Sequence, residues 1–412
     1  MRADRRRVKR TRRTLLRAAL ELANAANGVH PLARDGYITL PVFAFGWPTT
    51  ELSPWLAGTS ILDAIRRGGR GDFRGKAGAL SLGMTVASWA LLAVIHRRNV
   101  GSAPHFEDAL RQTLDGDYTP AERAGRLSVA TGIFRAGAAR LRYVGRAASL
   151  RYGPYRANQL DIWRRRDLPR DGKAPVLVNI PGGAWVIGMR RPQAYPLLGH
   201  LTAQGWICVS VGYRVSPRHT WPEHIVDIKR ALAWVRANIA DYGGDPDMLF
   251  LSGESAGGHL AALSALTAGD PVWQPGFEDA DTSVRAVVPV YGRYDWESTD
   301  GPGRTQFVRG FLQRLVVKKD LDSHRETYRE ASPIHRVHPE APPFFVLHGQ
   351  NDSIIPVGEA RDFVAALRAV SQAPVAYAEI PGAQHAFDIF GSPRGQYTAV
   401  AIQRFLDWVR RH

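Results

Sequence analysis

The chain has 412 residues, 45% of them apolar and 22% charged, with a formal net charge of +16. That content excludes a disordered polypeptide and gives room for one large domain with an appendage. Residues 1–150 hold 24 Lys+Arg against 11 Asp+Glu, leaving 30 against 27 for the remainder. A nucleic-acid face would need its cations on the folded module, so nucleic acid is not the expected partner. Basic residues beside apolar segments more often report orientation at an anionic membrane surface. Cys208 is the only cysteine. An intramolecular disulfide and a cysteine metal cluster are therefore excluded, and its apolar setting predicts a buried, inert thiol.

Residues 1–13 carry eight Lys/Arg and one acid. Leu15, Leu16, Ala19, Leu22 and Ala26 then recur at helical spacing, so 1–36 reads as a basic tail and amphipathic helix. Arg17, Glu21 and Asn24 interrupt that helix too early for a cleaved signal peptide.

Residues 77–95 contain no charge and are bounded by Lys76 and by His96-Arg97-Arg98. Such a run nearly suffices to cross a bilayer, which needs about 20 residues. Ala79, Gly83 and Ala87 offer a face on which a second helix would pack closely. The candidate partner is 37–58, broken by Pro41, Pro48, Pro54 and Glu51, with a basic link at 66–76. Residues 37–98 are thus expected to associate with a membrane, the competing reading being helices buried against the following domain. A single crossing with the basic N-terminus inside places that domain outside, and a hairpin keeps it inside. Residues 99–149 read as a helical connector.

From residue 150 the texture changes. Segments 150–156 and 159–164 flank Gly153-Pro154 and read as a hairpin. Short apolar runs without alternation follow at 176–180, 207–211, 248–251, 286–290, 344–347 and 375–380. Runs of this kind suit strands covered on both faces. Helical patterns at 225–239, 258–268, 357–370 and 397–410 lie between them, which predicts an α/β domain with a mainly parallel sheet. Ligands in such sheets sit beyond the carboxyl ends of the strands.

The chemically informative residues fall there. Gly253-Glu254-Ser255-Ala256-Gly257 follows one strand and opens a helix, as a nucleophile elbow does. Pro181-Gly182-Gly183-Ala184-Trp185 follows another, where successive glycines let main-chain amides converge on an oxyanion. His348-Gly349-Gln350-Asn351-Asp352 places a carboxylate in a turn, and Pro381-Gly382-Ala383-Gln384-His385 places an imidazole. Ser255, Asp352 and His385 thus occur in the order Ser, Asp, His. Asp295 is the rival acid; His348 and His259 are the rival histidines. Glu254 is expected to act as a hydrogen-bonding support. His335 and His338 lack zinc spacing, and neither a metal nor a cofactor is expected.

Residues 150–412 resemble the α/β-hydrolase esterases, in the group holding hormone-sensitive-lipase-like, feruloyl-esterase-like and isoprenylcysteine-methylesterase-like enzymes. The resemblance rests on PGGAW at 181, GYRVSP at 212, YGGDP at 242, GESAGGHLAAL at 253, HGQND at 348 and GAQHAF at 382. With its basic, apolar N-terminal third the whole chain looks like the actinobacterial membrane-associated Lip esterases. One departure is Pro181, where the family usually has the histidine of His-Gly-Gly.

The resemblance implies a serine ester hydrolase using Ser255, His385 and Asp352. Its oxyanion donors would be the amides of Gly183, Ala184 and Ala256. Lipid-like or short-to-medium acyl esters are the expected substrates, with a cap over the site at 292–333 contributing Trp296, Phe307, Phe311 and Leu315. An amidase or formamidase with the same residues, or a catalytically idle scaffold, are the alternatives.

Overall fold

A computed structural model describes residues 2–33, 38–114, 118, 132–144 and 148–412. Four helices come first: α1 (Arg2–Val29), α2 (Thr39–Glu51), α3 (Ser53–Gly69) and α4 (Gly75–Val100). Two more, α5 (Ala103–Arg111) and α6 (Gly132–Tyr143), belong to the expected connector, of which 115–117, 119–131 and 145–147 lie outside the described residues. The remainder runs β1 (Leu150–Arg151), β2 (Gln159–Trp163), β3 (Ala174–Ile180), α7 (Tyr195–Ala203), β4 (Ile207–Val211), α8 (Glu223–Asn238), β5 (Gly244–Glu254) and α9 (Ala256–Leu266). It continues with β6 (Val287–Val290), α10 (Pro302–Thr305) and its π-helical extension Gln306–Val316, and α11 (Arg325–Glu330). Last come β7 (Phe344–Gly349), α12 (Gly358–Val370), β8 (Val375–Ile380) and α13 (Pro393–Arg411).

The eight strands form one sheet in the order β1-β2-β4-β3-β5-β6-β7-β8. Only the β1–β2 and β2–β4 pairings are antiparallel; every other neighbour is parallel. The unbroken apolar runs follow from this, because helices cover both faces. Val176, Val178 and Ile180 pack with Ile228, Leu260 and Phe363 on one side. Leu177, Phe250 and Phe345 pack with Leu201, Ile402 and Phe405 on the other. All six of these strand side chains are fully buried, each stabilising the sheet by about 1.5–3 kcal/mol relative to exposure.

The chain breaks at Leu52 between α2 and α3, and α3, which begins within 37–58, is the helix that α4 meets across the basic link. The Ala79, Gly83, Ala87 face of α4, expected to take a second helix, is exposed among the described residues, and a Cβ on Gly83 would meet nothing there. The buried face is instead Gly78, Ser81, Thr85, Ser88, Leu92 and Ile95.

The helical region docks on the sheet domain through charge. Glu51 and Arg394 form an ion pair with both side chains fully buried. Glu51 Oε2 also accepts from Ser392 Oγ (2.6 Å) and Asn99 Nδ2 (3.1 Å), and Asn99 Oδ1 accepts from the Arg394 amide (2.9 Å). Removing one partner leaves the other charged and dry, which costs about 3–5 kcal/mol. Glu51→Ala is accordingly expected to destabilise the full-length chain by about that much. The double variant Glu51→Met/Arg394→Leu should recover much of the loss, as read from denaturant unfolding midpoints.

Candidate active site

The sheet brings the motifs to one edge. Ser255 joins β5 to α9 with φ 56° and ψ −117°, a conformation few L-residues adopt. The elbow leaves no room for side chains beside it. A Cβ on Gly253 would meet the Gly257 carbonyl, and one on Gly257 the Ile180 carbonyl. Two hydrogen bonds fix the serine backbone: its amide donates to Val290 O (2.9 Å), and its carbonyl accepts from the His259 amide (3.0 Å).

The loop after β3 lies directly against the elbow. A Cβ on Gly182 would come within 3.0 Å of Ser255 Cβ. Gly183, Ala184 and Trp185 have φ of 131°, 51° and 58°, three consecutive residues in the left-handed half of the map. Trp185 pins them. Its ring packs edge-on to His259 (5.1 Å) and Trp296 (4.8 Å), and its Nε1 donates to His259 Nδ1 (3.3 Å). The Gly182 amide donates to Gln193 Oε1 (2.7 Å). Those of Gly183, Ala184 and Ala256 have no acceptor among the described residues. Pro181 keeps its carbonyl in use, accepting from the Tyr213 hydroxyl (3.1 Å).

His385 Nδ1 lies 2.6 Å from Asp352 Oδ2. Asp352 Oδ1 accepts from the amides of Ile354 and Ile355, each at 2.8 Å. Burial pushes Asp352 up, but its contacts with His385 and His348 outweigh that and hold it well below the ordinary carboxylate range. An anion next to Nδ1 favours that nitrogen as the donor of the pair. The link to Ser255 runs through the next strand: Ser255 donates its amide to Val290 O, and the ring of the following Tyr291 lies tilted against His385 at 4.6 Å. No hydrogen bond joins the Ser255 hydroxyl to the ring here, and such contacts often tighten only with substrate.

The rivals are engaged elsewhere. Asp295 accepts from the amides of Glu297 (2.9 Å) and Ser298 (3.0 Å). His259 is fully buried, stacked on Trp296 at 4.4 Å and bonded to Ala331 O (2.7 Å), and burial pushes it down to about 3. His348 bonds Ile355 O (2.9 Å) and lies 3.4 Å from Asp352. Glu254 accepts from Asn179 Nδ2 (3.2 Å). Burial and then Asp388 lift its carboxyl well above the ordinary range.

Several neighbours were not legible in the sequence. Phe43 meets the His385 ring edge-on at 5.8 Å, and Trp47 Nε1 donates to Ala386 O (2.7 Å) while stacking on Phe390 at 4.5 Å. Both belong to α2, more than 330 positions away, and no local motif links the two. Asp388, three residues beyond His385, accepts from the Tyr291 hydroxyl. Among the described residues no cluster of His, Cys, Asp and Glu is arranged to hold a metal.

The family model BD-FAE matches residues 160–367. The probable carboxylic ester hydrolase LipM of Mycobacterium tuberculosis is 44% identical over 95% of this chain and 92% of its own length. Esterase LipC of the same organism is 53% identical over 66% of each. Among solved structures, Thermogutta terrifontis esterase 2 superposes with a TM-score of 0.52 at 24% identity, covering 64% of this chain and 92% of its own, and shares the fold. The chain belongs to the BD-FAE family and is a carboxylic-ester hydrolase on the α/β-hydrolase fold.

Proposed function

We propose that the chain hydrolyses its esters through an acyl-enzyme on Ser255. The observation that carries this reading is the contact between His385 Nδ1 and the buried, ionised Asp352 at 2.6 Å, taken with the strained backbone of Ser255. His385 takes the serine proton on Nε2 as Oγ attacks the carbonyl carbon. Asp352 holds the ring's tautomer and stabilises the imidazolium that forms. The carbonyl oxygen, now an anion, receives the three uncommitted amides of Gly183, Ala184 and Ala256. His385 then returns the proton to the leaving alcohol, and water repeats the sequence to free the acid.

An apolar, aromatic setting supports lipid-like or short-to-medium acyl esters as substrates. Phe307 lies 6.3 Å from Trp185 and stacks on Phe311, which supports a cap role for 292–333. On the opposite flank Phe43 continues into Leu40 and Phe45 of α2, 65% and 67% exposed. Attachment to a membrane through 37–98 belongs to the same reading. The described residues include one helical stretch long and apolar enough to cross a bilayer, Gly75–Arg111, with only 33% of its apolar window buried.

A fluorophosphonate probe should label the native chain and leave Ser255→Ala unlabelled. Persistent labelling of that variant would move the nucleophile elsewhere. Asp352→Asn should lower kcat on a p-nitrophenyl ester by about 10⁴, with KM little changed.

Stability should carry a second signature. Burial lifts Asp388 to about 6 against the pull of the Tyr291 hydroxyl. Such a carboxyl keeps in the native state a proton the unfolded chain gives up near pH 4, so stability falls as pH rises from about 4 to about 6. Asp388→Asn should flatten that stretch of the unfolding-midpoint curve, leaving the slope contributed by Glu254.

A further inference from the structure

The N-terminal helices distribute polarity opposite to a water-soluble bundle. Arg10 of α1 pairs with Asp72, just before α4, at 2.5 Å. At the other end Gly28 of α1 lies against Ile95 of α4. Helices α1 and α4 therefore run the same way, and α3 runs back between their ends. Helix α1 from residue 10 and α4 to residue 95 each extend about 30 Å, the thickness of a bilayer's hydrocarbon.

Inside this bundle sit the polar groups. Ser81 and Thr85 are fully buried and Ser88 is nearly so, each hydroxyl donating to a carbonyl of its own helix. Arg67, 5% exposed, pairs with Asp63 (2.7 Å) and approaches Glu21 (3.9 Å). Glu21 accepts from Ser60 (3.2 Å), which in turn accepts from Trp89 Nε1 (3.0 Å).

Outside, large apolar side chains face away from the protein. Leu16, Leu20, Leu62, Ile65, Leu80 and Val86 are between 49% and 70% exposed. An apolar belt of this extent in water would be an aggregation liability, whereas in lipid helices associate through small and polar residues. Half-exposed Arg17, one turn from Arg13, is held by Glu21 (2.8 Å) and Asp63 (3.1 Å), so its charge is paired.

The cationic end decides the orientation. It gathers the first turns of α1, whose residues 2–13 hold eight Lys/Arg, and the α3–α4 turn with Arg66, Arg70, Arg74 and Lys76. We infer that α1, α3 and α4 cross a lipid bilayer three times. The cationic end lies at the anionic cytoplasmic face and the hydrolase body at the opposite surface. This deepens the membrane attachment proposed above and is independent of the triad.

The test uses the full-length chain in sealed right-side-out membrane vesicles and a membrane-impermeant maleimide. Cys208 is fully buried and serves as the silent background. Asp247→Cys, at a side chain 90% exposed on the hydrolase body, should label in intact vesicles. Arg74→Cys should label only after detergent opens them. Labelling of both from one side, in a chain that resists carbonate extraction, overturns the three crossings and leaves attachment standing. Release by carbonate overturns both. A detergent-free soluble oligomer would show that second copies, not lipid, cover the belt, and also overturns the proposal.

Discussion

The structure depends on one steric constraint, the absence of space around the turn from β5 into α9. Main-chain carbonyls occupy the places where Cβ atoms at 253 and 257 would go. Strand β3, its following loop and α9 can therefore approach to van der Waals contact. That approach accompanies the unusual conformation of Ser255, and the amides of Gly183, Ala184 and Ala256 have no acceptor among the described residues. The parallel sheet does the rest, since its strands end at one edge and each loop inherits that position.

The imidazole loop is governed differently. Gln384 Oε1 accepts from the amides of Ser353 and His385, both under 3 Å, tying the two loops together. The helical region then closes on them, since Asn351 donates to the Val29 carbonyl (3.0 Å), and Arg394, the partner of Glu51, donates to the Pro381 carbonyl (3.3 Å). The setting of the ring is thus shared between a local turn and a distant bundle.

This division explains what could be read from the sequence. Strands covered on both faces announce themselves as unbroken apolar runs, and glycines at strand ends announce turns. An α/β domain with a mainly parallel sheet and the order of the motif residues were therefore accessible, the hydrolase family entering through the resemblance of the motifs. The aromatic support beneath the loop at 181–185 was only half accessible, because Trp185, His259 and Trp296 come from three separate segments. The bundle was least accessible. Periodicity places Leu16 and Leu22 on one helix without saying which face meets protein, and in α4 the inward face proved to be serine and threonine. The proline-rich stretch 37–58 announced a break but not that its first half would lie beside His385.

The hydrogen bond from Trp47 to Ala386 spans 339 positions. Its two ends leave a ribosome far apart in time, and the buried Glu51 must wait about as long for Arg394. While the sheet is being made, α1 to α4 stand without the surface they come to rest on, and His385 emerges only after β8. Under the proposed mechanism, a nascent chain of this design cannot attack esters in the compartment where it is made until the loop beyond β8 has been delivered.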